Sequence, residues 1–212
     1  LYYIPQLEGS DYDIFLRDRA AGVTERVSLA FDGEEPDYLW SITPAVSADG
    51  RVAAFTSDAR NLVPGDTNDS HEVFVWDRSV GTPERVSIAS DGIEGNASSW
   101  GGDPSADGRF VAFLSDATNL VADDTNGVAD IFVRDRVAGT TERVSMSSDG
   151  SQANDRAIGG PDRFHHAISE DGRFVAFISW ATNLVAGDTN GGRDVFVHDR
   201  VTKETPVSYT HL

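Results

Sequence analysis

The chain contains no cysteine. Disulfides, thiolate-bound zinc and thiol catalysis are therefore excluded. Lysine is almost absent too. Of 17 basic residues, Lys203 alone is a lysine. Acidic residues number 35, so the 212-residue chain carries a formal charge of −18. That sign repels phosphate backbones and argues against a nucleic-acid partner. It also disfavours docking on anionic lipid. Long apolar runs are missing: none approaches about 18 residues, so membrane insertion is not expected. No charged-then-apolar leader opens the chain at Leu1. What is present is 39% hydrophobic residues with 20 Gly and 8 Pro, which suits a packed core with many turns. Acidity without cysteine fits a periplasmic or extracellular protein, and arginine over lysine fits a GC-rich bacterial genome.

The chain repeats itself. Ser47-Ala48-Asp49-Gly50-Arg51 recurs at Ser105–Arg109 and, with one change, at Ser169–Arg173. Asp-Arg pairs begin at Asp18, Asp77, Asp135 and Asp199, spaced 59, 58 and 64 residues apart. Glu-Arg-Val-Ser begins at Glu25, Glu84 and Glu142. Three markers on one period exclude coincidence. The extra six residues of the last unit fall between Val144 and Asp171.

Each unit reads as strands. Phe110–Ser115 and Ile131–Val133 are short, continuously apolar and rich in β-formers, as in strands buried on both faces. Thr141–Ser145 is a shorter, half-polar strand. A further strand, such as Ile42–Ser47, precedes each Asp-Gly, a dipeptide suited to tight hairpins. The pattern predicts an all-β chain of four-stranded antiparallel blades repeated radially.

The residues Ser-x-Asp-Gly-Arg-Phe-Val-Ala-Phe, then Asp-Ile-Phe-Val, then Glu-Arg-Val-Ser, resemble the TolB-like, WD-repeat-like β-propeller repeat of bacteria. The resemblance covers about Asp11 to Thr205. It implies a partial β-propeller of about three and a half blades: a remnant at 1–28, then blades at about 29–87, 88–145 and 146–205. An open arc leaves sheet faces and edges uncovered, so missing blades of the same chain are expected neighbours. The tail 206–212, which includes Val207-Ser208-Tyr209-Thr210-His211-Leu212, resembles a translated sequencing adapter and is expected to be non-native.

Strand order places the long loops Asp58–Ser70, Asp116–Ala129 and Trp180–Arg193 on one face. The inter-blade connections Leu29–Trp40, Ile88–Gly102 and Met146–His166 join them. Long loops on a rigid scaffold are where binding usually resides. They carry a recurring set: Asp66, Asn68 and Glu72; Asp124, Asn126 and Asp130; Asp188, Asn190 and Asp194. Two readings stand. Carboxylates and amides at that spacing suit calcium, and the same residues form Asx turns. Trp40, Trp100 and Trp180 offer surfaces for a sugar or peptide or fill blade junctions. His165 and His166 are candidate ligand-face residues in the last connection, with Asp162 and His71 as candidate helpers. The Phe sets at 55, 113 and 177 and at 15, 74, 132 and 196 are assigned to the core. The arginine of each Asp-Arg pair is assigned to turn capping or to a neighbouring blade's acid.

No Gly-x-Ser-x-Gly elbow is present. Ser-x-Asp-Gly is one residue short of the sialidase Asp box. No residue pair earns a catalytic role. The expectation is a non-catalytic scaffold that binds a protein, peptide or glycan. A propeller domain of a larger secreted, peptidase-like hydrolase is the first alternative. A calcium-stabilised surface or adhesion module is the second.

Overall fold

The computed structural model describes residues 12–38, 40–157 and 166–206. Every regular element among them is a strand. β1 (Phe15–Asp18) and β2 (Val23–Arg26) form a two-stranded sheet. β3 (Ser41–Val46), β4 (Val52–Ser57), β5 (Glu72–Asp77) and β6 (Pro83–Arg85) form the first complete blade. β7 (Ser99–Pro104), β8 (Phe110–Ser115), β9 (Asp130–Asp135) and β10 (Thr140–Arg143) form the second. β11 (His166–Ile168), β12 (Phe174–Ser179) and β13 (Asp194–Asp199) form a three-stranded sheet. All pairings are antiparallel between sequence neighbours.

The apolar runs become central strands because both of their faces are covered. β4, β5 and β9 are buried along their whole length. The core repeats with the sequence. Val52, Ala54, Val73 and Val75 of one blade meet Val111, Phe113 and Phe132 of the next. Ala112, Leu114, Ile131 and Val133 meet Val175, Phe177 and Phe196 in the same way. Ile14 and Leu16 of the first sheet meet Phe55 and Phe74. Each Phe pair lies side by side on β-neighbours, with ring centroids 5.7–5.9 Å apart. The core assignment of both Phe sets therefore holds from Phe55 onward, whereas Phe15 is only half-buried. β12 and β13 are less uniformly buried, with Phe174 40% and Val195 36% exposed, since no further blade among the described residues covers their outer face.

Hairpin turns carry the Asp-Gly expectation. Gly108 and Gly172 take φ of 66° and 72°. A Cβ on Gly108 would lie 2.3 Å from Val52 Cγ2, and one on Gly172 would lie 2.1 Å from Phe110 Cδ2. Glycine is required there twice, for the left-handed backbone and for the close approach of the preceding blade. The Asp of each turn accepts from the backbone N–H two residues on, as Asp107 does from Arg109 at 3.0 Å.

Arginines tie neighbouring strands and adjacent blades together. Arg109 forks onto Asp135 at 2.7 and 3.0 Å, which holds that carboxyl down at about 2. Arg136 crosses to Glu84 of the preceding blade at 2.7 Å, and Arg200 crosses to Glu142 at 2.6 Å. Arg78 reaches Asp18 and Glu25 likewise. Arg78, Arg136 and Arg200 of the Asp-Arg pairs are thus inter-blade ties. Charge-assisted forks of this kind fix geometry as well as energy.

Candidate functional site

The recurring carboxylate set is brought together as the sequence suggests, but its positive charge is a side chain. Arg85 Nη1 lies 2.8 Å from Glu72, 3.1 Å from Glu94 and 3.6 Å from Asp66. Arg143 Nη1 lies 2.8 Å from Asp124, 3.3 Å from Asp130 and 3.2 Å from Gln152 Oε1. Arg26 meets Asp13 at 2.6 Å and Glu35 at 2.8 Å. Arg85 and Arg143, each from Glu-Arg-Val-Ser, fill the first two oxygen cradles that the sequence reading offered to calcium, and Arg26 makes a similar contact with acids outside that set. Asp66, Glu72 and Glu94 do present oxygens within 4.8 Å of one another, and the guanidinium sits among them. Burial pushes Glu72 up to about 8, with Asp66 adding to the rise and Arg85 opposing it. Burial raises Asp66 and Asp130 as well.

The asparagines follow the Asx-turn reading. Asn68 Oδ1 accepts from Ser70 N at 2.8 Å, and its Nδ2 donates to Glu72 at 3.3 Å. Asn126 repeats this with Val128 N and Asp130. Asn190 repeats it with Gly192 N and Asp194. Each amide therefore turns its N–H toward the cradle. In the third cradle no arginine stands among the described residues. Asp188 Oδ1 and Asp194 Oδ2 are buried there without a hydrogen-bond partner.

Much of the loop face is clasped to itself. Asn96 and the 118–119 pair exchange three bonds of 2.9 Å: Asn96 N to Asn119 Oδ1, Asn96 Nδ2 to Thr118 Oγ1, and Thr118 N to Asn96 Oδ1. Asn154 makes the same three with Asn183 and Thr182. Asp37 and Arg60-Asn61 make two of them. These amides lock each inter-blade connection to the next long loop.

What remains for a ligand is aromatic. His71, just ahead of β5, lies between two indoles, with ring centroids 4.8 Å from Trp40 and 6.2 Å from Trp100. Its backbone is pinned by Ser99 N, which donates to His71 O at 2.7 Å. All three rings are half-buried. Burial lowers the His71 pKa, and Asp58 opposes that shift. Burial raises Asp58, and His71 opposes it. Asp58 Oδ1 and His71 Nδ1 are buried and have no hydrogen-bond partner. Trp180 makes a separate contact: Arg193 lies 5.6 Å from its ring centroid.

His166 opens β11, and its Nε2 donates to Gly101 O at 2.5 Å. Beside it, Asp103 accepts from Ile168 N at 2.8 Å and is raised by burial. The two line a cavity of about 190 Å³ with Thr43 and Gly101. Both of those take positive φ, where β3 and β7 bulge. His165, Asp162 and the tail from 207 lie outside the described residues.

Sequence reasoning missed Asp58, Asp103 and the arginine of the cradle. The arginine had a signal: it stands 13 residues after a carboxylate at or just before the start of a strand in three units, at Asp13–Arg26, Glu72–Arg85 and Asp130–Arg143.

No protein-family model and no curated protein matches the sequence. Solved structures do. A TolB of Agrobacterium tumefaciens is similar with 17% identity and a TM-score of 0.54, over 94% of this chain and 57% of its own. A prolyl endopeptidase is similar with 15% identity and a TM-score of 0.53, over 92% of this chain and 25% of its own. The β-propeller domain of the Trilobed protease from Pyrococcus furiosus gives 14%, 0.50, 80% and 42%. The chain thus spans little more than half of the TolB and less of the others. At such identities the likeness is one of fold.

Proposed function

We propose that this chain, whose fold is that of a partial β-propeller like TolB's, is a non-catalytic scaffold that binds a protein, peptide or glycan. The binding place is the loop face around Trp40, His71, Trp100 and Asp58. One observation carries this reading. Two buried polar atoms, Asp58 Oδ1 and His71 Nδ1, have no protein partner beside two half-buried indoles. An aromatic platform with adjacent unmet polar groups suits a ligand that is apolar on one side and polar on the other. The −18 charge favours a basic partner and a fast, salt-sensitive approach. A periplasmic or extracellular setting belongs to the same proposal.

The test is a peptide and glycan array probed with the wild-type protein and with Trp100→Ala. Hits that vanish in the variant support the reading. Hits that survive both Trp100→Ala and Trp40→Ala place binding elsewhere.

A second reading makes the arc part of a larger peptidase-like hydrolase. The propeller-bearing prolyl endopeptidase and Trilobed protease favour it, and a nucleophile elbow in flanking coding sequence is its discriminator. For calcium, the first two cradles already hold a guanidinium, so a metal there competes with Arg85 and Arg143. Melting with calcium and with chelator decides that question: a calcium-dependent rise favours the metal, and an unchanged midpoint leaves the arginines as the cradle's cations.

A further inference from the structure

Three junctions join the described units, and two of them carry the same clasp. Between the two complete blades, Thr141 N donates to Ser90 Oγ at 2.9 Å, and Thr141 Oγ1 donates to Ile88 O at 2.5 Å. Arg134 Nη1 reaches Ala89 O at 3.3 Å beside them. The next junction repeats this. Thr205 N donates to Ser148 Oγ at 3.0 Å, and Thr205 Oγ1 donates to Met146 O at 2.5 Å. His198 Nδ1 lies 2.9 Å from the same hydroxyl. The clasp closes the seam: Thr141 is 7% exposed and Thr205 is 3%.

The first junction exchanges all three side chains of the clasp. Phe31 stands where Ser90 and Ser148 stand, Pro83 where Thr141 and Thr205 stand, and Trp76 where Arg134 and His198 stand. Proline has no N–H, and phenylalanine has no hydroxyl to receive one. Leu29 takes the place of Ile88 and Met146, and Pro83 offers its carbonyl no O–H. A cavity of about 400 Å³ opens at this seam, lined by Leu29, Ala30, Phe31, Trp76 and Pro83. Trp76 belongs to the core with Leu16 and Val27, which holds that wall in place. Phe31 is exposed, but its backbone is fixed, since Phe31 N donates to Asn61 O at 3.1 Å. Two aromatic side chains and a proline around a space of that size suit a small ring-bearing molecule.

We infer that the cavity between Phe31, Trp76 and Pro83 is a binding site for a small phenol. The ring fills the apolar space, and the hydroxyl donates to Leu29 O, as Thr141 and Thr205 donate to Ile88 O and Met146 O. A ring without the hydroxyl leaves that carbonyl without the O–H its two counterparts receive, and selectivity follows from this. The cavity shares no residue with the loop face around His71 and does not depend on the binding assigned there.

The probe is para-fluorophenol, followed by fluorine NMR as it is titrated with the protein, and fluorobenzene is the matching ring without the hydroxyl. Saturable binding of the phenol is expected with a Kd of about 1–5 mM, as for a ligand of that size. Fluorobenzene binds about threefold more weakly or worse, the worth of one hydrogen bond. Phe31→Ser combined with Pro83→Thr installs the clasp of the other two junctions. That variant keeps its strand signal in circular dichroism and loses the phenol, whereas Trp100→Ala keeps it. The fluorobenzene comparison uses the wild type and does not depend on the variant folding. No saturable binding up to about 10 mM, equal binding of the two probes, binding that survives the double substitution, or binding lost in Trp100→Ala overturns the inference.

Discussion

Replacing Arg143 by glutamine removes the only cation that the described residues place in a nearly closed cradle. The Arg143 side chain is 5% exposed, Asp124 is 2% and Asp130 is 0%. Breaking a buried pair by deleting one partner typically costs about 3–5 kcal/mol, because the remaining charge stays buried. For a chain of this size that lowers the melting midpoint by roughly 6–20 °C. Arg26 is the internal control. Its side chain is 19% exposed, and its partners Asp13 and Glu35 are 18% and 70% exposed. Water reaches that site more than the Arg143 cradle, chiefly at Glu35, so Arg26→Gln is expected to cost less than Arg143→Gln. Urea unfolding followed by circular dichroism measures both. The deficit of Arg143→Gln also depends on pH with a definite sign. Burial raises Asp130, and losing the guanidinium raises it further. A carboxyl raised in the folded state penalises folding above its unfolded pKa, and the penalty fades as pH falls through the folded value. The variant therefore regains stability on acidification. Equal costs at positions 143 and 26, or a deficit that grows in acid, would refute the reasoning.

Two further outcomes follow from the same geometry. Glu72 stands at about 8 against an ordinary 4.5, so the folded state holds a proton that the unfolded chain releases between those values. Stability then falls as pH rises from about 4.5 to 8, and Glu72→Gln flattens that slope; identical slopes in both proteins would remove the assignment. Gly108→Ala forces a Cβ to 2.3 Å from Val52 Cγ2 at φ 66° and should cost about 2–4 kcal/mol. Gly150→Ala, with φ 85° and open space, should cost only the backbone strain of about 1–2 kcal/mol; equal melting midpoints for the two variants would count against the close approach.

The blade was legible because its signals are local or periodic. Phe110–Ser115 and Ile131–Val133 read as strands from their own residues and lie in strands. Asp-Gly marks hairpins at 107–108 and 171–172 because the φ demand is met within two residues. The site was less legible. Asp-x-Asn with a later carboxylate has the composition of a cation cradle, and a cradle does form. Its occupant comes from the far end of the same blade, through the β5–β6 and β9–β10 pairing, and spacing alone does not say which charge arrives. Trp40 and Trp100 belong to successive units and sit at unequal positions in them. They meet only through His71, which the sequence offered merely as a helper. Asp58 carries no motif, and burial alone makes it notable.

Several ties that cross from one unit to the next join the same pair of positions. Glu84 meets Arg136 as Glu142 meets Arg200, 52 and 58 residues apart. Thr141 meets Ser90 as Thr205 meets Ser148. A gene that gained or lost one whole unit by unequal recombination would rejoin matching surfaces at the new junction. No compensating substitution would be needed there, so unit number can drift while junction chemistry stays constant. The six extra residues of the last unit fall in a connection rather than in a strand, where they leave the cross-unit pairs in register. Selection on such a gene acts on the loops that differ, such as Trp180 where the other units carry Asp58 and Asp116. The shared residues hold the copies interchangeable.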